Sequence, residues 1–209
     1  QWYLFKSGPA ASGPSRVGRF FRSGPGESHA DNQFHSWPYY MENWRLPPDR
    51  DGYSFDVGPV RSASRGRVWL ASGDPFAAPR IVLNGLSTDR DMADFRTAIG
   101  IAREIASQPA FDFCRGPEVE PGPHLTADAD LNAYVRANAA SAYHPCGTCR
   151  MGMDAMAVVD PQARVHGIER LRVADASIMP SIPNGNINAP AMMIGEKVAH
   201  MIMRRDPAA

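Results

Sequence analysis

The chain has only three cysteines, an odd number in 209 residues. That count excludes a disulfide-stapled scaffold and makes a reducing, cytoplasmic setting the default expectation. Net charge is missing too: basic and acidic residues stand at 22 each. With no basic block and no interleaving of basic and aromatic residues, electrostatics give no case for nucleic acid. There is no apolar run of about 18 residues, the length a membrane-crossing helix needs. The first residue is not Met, and "QWYLFKSG" has neither the charged start nor the apolar centre of a signal peptide. The expectation is a chain that begins within a longer gene product.

What is present is plentiful but scattered turn material, 19 Pro and 18 Gly, which fits many loops rather than a disordered tract. No internal repeat is visible. Residues 1–30 read as loop and turn with one short strand near "GRFF". The runs "NQFHSWPYY", "GYSFDVGPV", "GRVWLAS" and "PRIVLNGL" lean to strand, with "DRDG" and "SGDPFAAP" as turns between them. Closely spaced strands with short polar connections favour an antiparallel sheet. In "STDRDMADFRTAIGIAREIASQ" the period changes. Met92, Phe95, Ala98, Ile99, Ala102 and Ile105 recur at helical spacing, with Asp and Arg on the other face and Ser87 or Thr88 as cap. A shorter helix is expected in "TADADLNAYVRANAAS" with Thr126 as cap. "AVVDPQARVHGIERLRVADAS" reads as strand, turn and strand. "NAPAMMIGEKVAHMIMRR" closes the chain as a helix, with Asn188 as cap, Pro190 in the first turn and Arg204 and Arg205 in the last. The fold class is α+β, with a boundary after "GPEVEPGPH" that separates residues 1–135 from 136–209.

One stretch, "SAYHPCGTCRMG", carries candidate chemistry. Cys146 and Cys149 have CxxC spacing, but a zinc site wants four ligands and no second pair follows. A thioredoxin-like redox pair leads into a helix, and "GTCRMGM" is a poor helix opening. Small residues packed in a tight loop account for the cysteines better than a metal or redox module does. His144 is followed by Pro145, which fixes φ, and by Gly147, which permits a sharp turn. A stiff, irregular backbone of that kind suits a positioned general base. On the residues alone, a structural and a catalytic role for His144 stay equally open. In "PNGNINAPAMMIGEK", Asn188 opens a helix whose first turns are apolar, and a buried helix N-terminus suits an anion or a developing negative charge. The plain alternative is a cap whose amides meet water, although Asn184, Asn186 and Asn188 supply more amide groups than a cap needs.

"YHPCGTCRMG" followed by "LRVADASIMPSIPNGNINAPAMMIGEKVAHMI" closely resembles the C-terminal signature of the glucose-methanol-choline (GMC) FAD-dependent oxidoreductases, in their choline dehydrogenase and alcohol dehydrogenase branch. "ADNQFHSWP" and "SRGRVWLASGDPFAAPRIVLN" resemble that family's substrate-domain strands. The resemblance implies a substrate-binding domain at 1–135 and, at 136–209, the returning strand–helix segment of a Rossmann-like FAD-binding domain. It implies FAD as cofactor and oxidation of a primary alcohol to an aldehyde, the proton leaving to His144 as the hydride passes to flavin N5. Asn188 matches the second catalytic position, which would hydrogen-bond the substrate oxygen. Tyr143, His144, Ala174, Asp175, Asn186, Asn188, Ala189 and Pro190 fall where the family contacts FAD. The cysteines would be incidental and no metal is implied.

The family's G-x-G-x-x-G fingerprint, which grips the ADP part of FAD, does not occur here. The expected partners are therefore an alcohol substrate and an N-terminal half supplied by the same gene product or by another chain. Alone, the chain is expected to hold no tight FAD, and either to self-associate through Ile187, Met192, Met193 and Ile194 or to be stable only beside a partner chain. A truncated, non-catalytic fragment and a metal or redox module at Cys146 and Cys149 stand as the alternatives.

Overall fold

The computed structural model describes residues 2–5, 7, 17–41 and 51–203. The loop reading of 8–16 and the arginines expected at 204 and 205 lie outside the described residues. In chain order the elements are α1 (Trp2–Phe5), β1 (Val17–Phe21), β2 (Asn32–Trp37), β3 (Ser54–Pro59), β4 (Arg67–Trp69), β5 (Arg80–Val82), α2 (Asp89–Ser107), α3 (Asp128–Asn138) and α4 (Asn188–Ile202). The class is α+β, and the five strand runs expected before residue 87 all pair antiparallel. They form two sheets, in the orders β1-β2-β3 and β4-β5. The single helical turn α1 stands where the sequence suggested only loop. The chain divides into two compact units, residues 1–63 with 88–139 and residues 64–87 with 140–209. The β4–β5 hairpin thus groups with the C-terminal residues and not with its neighbours in sequence.

The first unit is built on the three-stranded sheet. Phe34 lies opposite Arg19 on one side and Val57 on the other. It is buried, and its ring meets Phe55 at 4.7 Å between centroids. Phe55 then meets Tyr53 at 5.2 Å and, edge-on, Phe111 at 5.8 Å. Rings at these separations add to plain burial through their quadrupoles. Helix α2 starts as expected, with the Thr88 side chain accepting from the Asp91 amide.

Its polar face departs from expectation. Asp91 and Asp94 were assigned to the solvent side but are buried beside Met92, Ala98 and Ile99. Burying a carboxylate is costly unless it is paired, and the chain provides the partners. Arg90 reaches Glu27 at 2.9 Å, Asp31 at 3.0 Å and Asp94 at 3.0 Å. Asp91 accepts from the Ala63 amide at 3.1 Å. Burial raises the Asp31 pKa, but hydrogen bonds from the Ser23 hydroxyl and amide outweigh it and the net shift is down. Asp94 goes the other way, because burial outweighs its bonds to Arg90.

Beyond α2, Arg103 binds Glu118 and the carbonyls of Gly122 and Leu125, which ties the Pro- and Gly-rich segment to the helix. Helix α3 begins after Ala127, with no side-chain cap. The expected cap, Thr126, sits one position too early because the first turn closes from the Ala127 carbonyl to Asp130 and Leu131.

In the second unit the core is Val159, Ala163, Ile178, Met179, Ile194 and Val198, flanked by Cys146, Met151, Val158, Val165, Val173, Ala176 and Ile187. The strand–turn–strand expected across 157–177 is reduced to the isolated bridges Val159 with Val165 and Arg164 with Arg172. Its polar residues bond locally instead: Asp160 accepts from the amides of Gln162 and Arg164 and closes a tight turn there. Ile194 and Val198 anchor α4, whereas Met192 and Met193 are exposed. Of the four apolar residues expected to face water at this end of the chain, Ile194 is therefore a core residue.

Candidate active site

Everything at this site hangs on a backbone seam in the second unit. Asp175 caps a single 3-10 turn, Ala176–Ile178, by accepting from the Ser177 amide at 2.7 Å. The carbonyls of that turn face the CxxC loop and take three of its amides. Gly147 donates to Ala176 at 3.3 Å, Cys149 to Ser177 at 2.9 Å and Met151 to Ile178 at 2.8 Å. Gly147 is required here. Its φ is +86°, and a Cβ would stand 3.1 Å from the Met179 carbonyl oxygen. Tyr143 also has a left-handed φ, +62°, which an aromatic residue adopts only at a cost of about 1 kcal/mol or more. Such strain collects at functional sites.

This loop presents His144, half-buried, with its Nε2 2.6 Å from the Asn186 side-chain nitrogen. An amide NH2 only donates, so the placed Asn186 NH2 faces Nε2 as its acceptor. The sequence reading gave the second catalytic position to Asn188 and a cofactor contact to Asn186; the structure brings Asn186 to His144. Asn188 is exposed, and it is the first residue of α4 rather than its cap. The cap position belongs to Ile187, which makes no side-chain cap bond. Pro190 has no N–H and Ala191 donates to the Ile187 carbonyl at 2.9 Å. The Asn188 and Ala189 amides are left as the donors at this end of a fifteen-residue helix. Ala174 and Asp175 are exposed beside the capped turn, and Tyr143 is 84% exposed.

Cys146 and Cys149 are free thiols. Cys146 packs on the core, where burial pushes its pKa up against a weaker opposing pull from Arg65. A thiol so held is a poor nucleophile and a poor metal ligand at neutral pH. Among the described residues no group of three or more His, Cys, Asp or Glu side chains converges as a metal site would require.

A family model for the GMC oxidoreductases, specific to their C-terminal region, matches residues 62–195. The chain belongs to the GMC oxidoreductase family. It is 47% identical, over 99% of its own length, to oxygen-dependent choline dehydrogenase 1 of Chromohalobacter salexigens, and spans 38% of that protein. Among solved structures it resembles a formate oxidase of Aspergillus oryzae, from work on its FAD modification. There the TM-score is 0.86 at 28% identity, with 98% of this chain and 40% of that one covered. Pyridoxine 4-oxidase from "Mesorbium loti" gives a TM-score of 0.83 at 29% identity, with 91% and 38% covered. The chain thus spans well under half the length of the proteins it matches. None of its helices, among the described residues, is long and apolar enough to cross a membrane.

Proposed function

We propose that this chain is the C-terminal part of an FAD-dependent GMC oxidoreductase that oxidises a primary alcohol, choline-like or other, to an aldehyde. In this reading residues 1–135 are a substrate-binding domain, and 136–209 carry the catalytic residues within the FAD-binding domain. The observation that carries the proposal is the 2.6 Å contact between His144 Nε2 and the Asn186 amide. A neutral imidazole whose Nε2 lone pair faces an amide is ready to take the hydroxyl proton of an alcohol that displaces the amide from that atom. The Asn186 NH2 then remains beside the same oxygen and donates to it as negative charge develops there. On this reading the substrate-oxygen role passes from Asn188 to Asn186, and Asn188 stays at the head of the helix.

The residues present fit one end of FAD. The unspent Asn188 and Ala189 amides and the macrodipole of α4 suit the electron-rich N1–C2=O edge of a flavin. When bound, the flavin supplies the hydride acceptor. Nothing in the sequence supplies the glycine-rich grip for the ADP end. The chain alone therefore holds no flavin through dialysis, and flavin retained one-to-one would contradict this division of labour. The deciding experiment uses the full-length enzyme. His144→Ala lowers turnover by about a hundredfold or more while FAD content is kept; normal turnover would make His144 a structural residue. Oxidation of choline, the substrate named for its relatives, is to be compared there with uncharged primary alcohols.

A further inference from the structure

We infer that Asp175 is a positioning residue for the His144–Asn186 pair, acting through the turn it caps. The turn's own backbone bonds are long, Ile178 to Asp175 at 3.3 Å and Met179 to Ala176 at 3.2 Å. The carboxylate bond to the Ser177 amide, at 2.7 Å, is the shortest that closes it. That turn is also the acceptor for the three loop amides of Gly147, Cys149 and Met151. His144 precedes the first of these rungs by three residues, and Asn186 follows the turn in the chain. The loop that carries His144 is thus held by this one small element. Opening the turn frees the loop and with it the imidazole that meets Asn186.

The cap is available wherever the enzyme would work. Hydrogen bonds from the Ser177 hydroxyl and amide hold the Asp175 pKa below its usual value, so the carboxylate stays charged throughout the neutral range. This role differs from the cofactor contact that resemblance suggests for Asp175. It rests on the proposed function only for the meaning given to His144.

Amide hydrogen exchange and imidazole nitrogen NMR on the chain as it stands separate the possibilities. In Asp175→Ala, the amides of Gly147, Cys149 and Met151 exchange about tenfold faster, the usual weight of a lost cap. The amides of Asp160 and Val165, bonded to Arg164 and Leu171 in the same unit, do not change. The His144 Nε2 resonance shifts as its contact with Asn186 loosens. Asp175→Asn, which keeps an acceptor oxygen, restores both the loop amides and the imidazole signal. The inference is overturned if the loop amides are unchanged, if Asp160 and Val165 accelerate by the same factor, or if the imidazole signal stays put while the amides move. Should Asp175→Ala fail to fold, Asp175→Glu serves, since its longer side chain places the carboxylate away from the Ser177 amide; a native spectrum for that variant would equally overturn it. Full activity in His144→Ala would sink the proposed function while leaving the exchange result standing, so the two failures are distinguishable.

Discussion

At the scale of single residues the sharpest test lies between two asparagines two positions apart. In the full-length enzyme Asn186→Ala lowers turnover about a hundredfold, as loss of a donor aimed at a developing oxyanion does. Asn188→Ala leaves turnover within a few fold. Rates in the opposite order would return the substrate-oxygen role to Asn188. Cys146→Ser and Cys149→Ser leave chemistry nearly intact, which steady-state rates and metal analysis of both variants check together. Pro145 and Gly147 announce a constrained backbone around His144, and the structure has that constraint, with Gly147 at a φ of +86°. The sequence could not choose among Asn184, Asn186 and Asn188, since the choice depends on where α4 begins. That start was misplaced by one residue because Asn is a good cap, yet Ile187 occupies the cap position. Which asparagine meets the imidazole is set by the path from the 3-10 turn to the helix, and local propensity says nothing about that path.

At the scale of elements, the helices and strands were legible wherever one face is buried. The apolar spacing of α2 and the Thr88 cap were plain; the burial of Asp91 and Asp94 was not, because it depends on Arg90, Asp31 and Ala63 arriving from elsewhere. Arg90→Met strips Asp31 and Asp94 of their shared cation. It lowers stability by about 2 kcal/mol, less than a fully buried pair because the guanidinium is half exposed, and chemical denaturation measures this. On α3, burial and the charges of Glu120 and Glu118 push the Tyr134 phenol from 10.0 up to about 12. The unfolded chain ionises near 10, so the folded state keeps a proton that the unfolded state has lost. This contribution is whole below pH 10 and disappears as pH rises toward 12. Burial also raises the Tyr53 phenol, so ultraviolet titration at the phenolate band shows Tyr134 and Tyr53 lagging behind the other tyrosines; a full complement ionising near 10 would contradict the burial of these rings. The region 157–177 was least legible. Its Val- and Arg-rich alternation looks like strand, but Asp160 diverts the chain into turns whose bonds are local.

At the scale of the whole molecule, exposed apolar side chains are numerous in the C-terminal unit. Met192, Met193, Ile202 and Met203 on or next to α4 are all more than half exposed, as is Ile81 of the hairpin region, and Leu70 and Phe76 there more so. Soluble monomers seldom leave that much apolar surface open. Sedimentation of the isolated chain at tens of micromolar is expected to show dimers or larger species; a lone monomer that binds no hydrophobic dye would mean these side chains need no cover. The chain passes between its two units three times, after Ala63, Ser87 and Ala139. Composition gave no hint of this interleaving, because the hairpin's turns look like any others. The first unit is thus interrupted by an excursion whose two mouths are pinned together, the Ala63 amide to the Asp91 carboxylate at 3.1 Å. In chain order the residues of the second unit that follow Ala139 come after all of the first unit's residues in this chain, so the 64–87 excursion waits for partners that are made later. The excursion is also a natural place for cutting and splicing. A gene in which a few glycines replace residues 64–87 is expected to leave the three-stranded sheet and the Arg90 network in place, because both are built from residues outside the excursion.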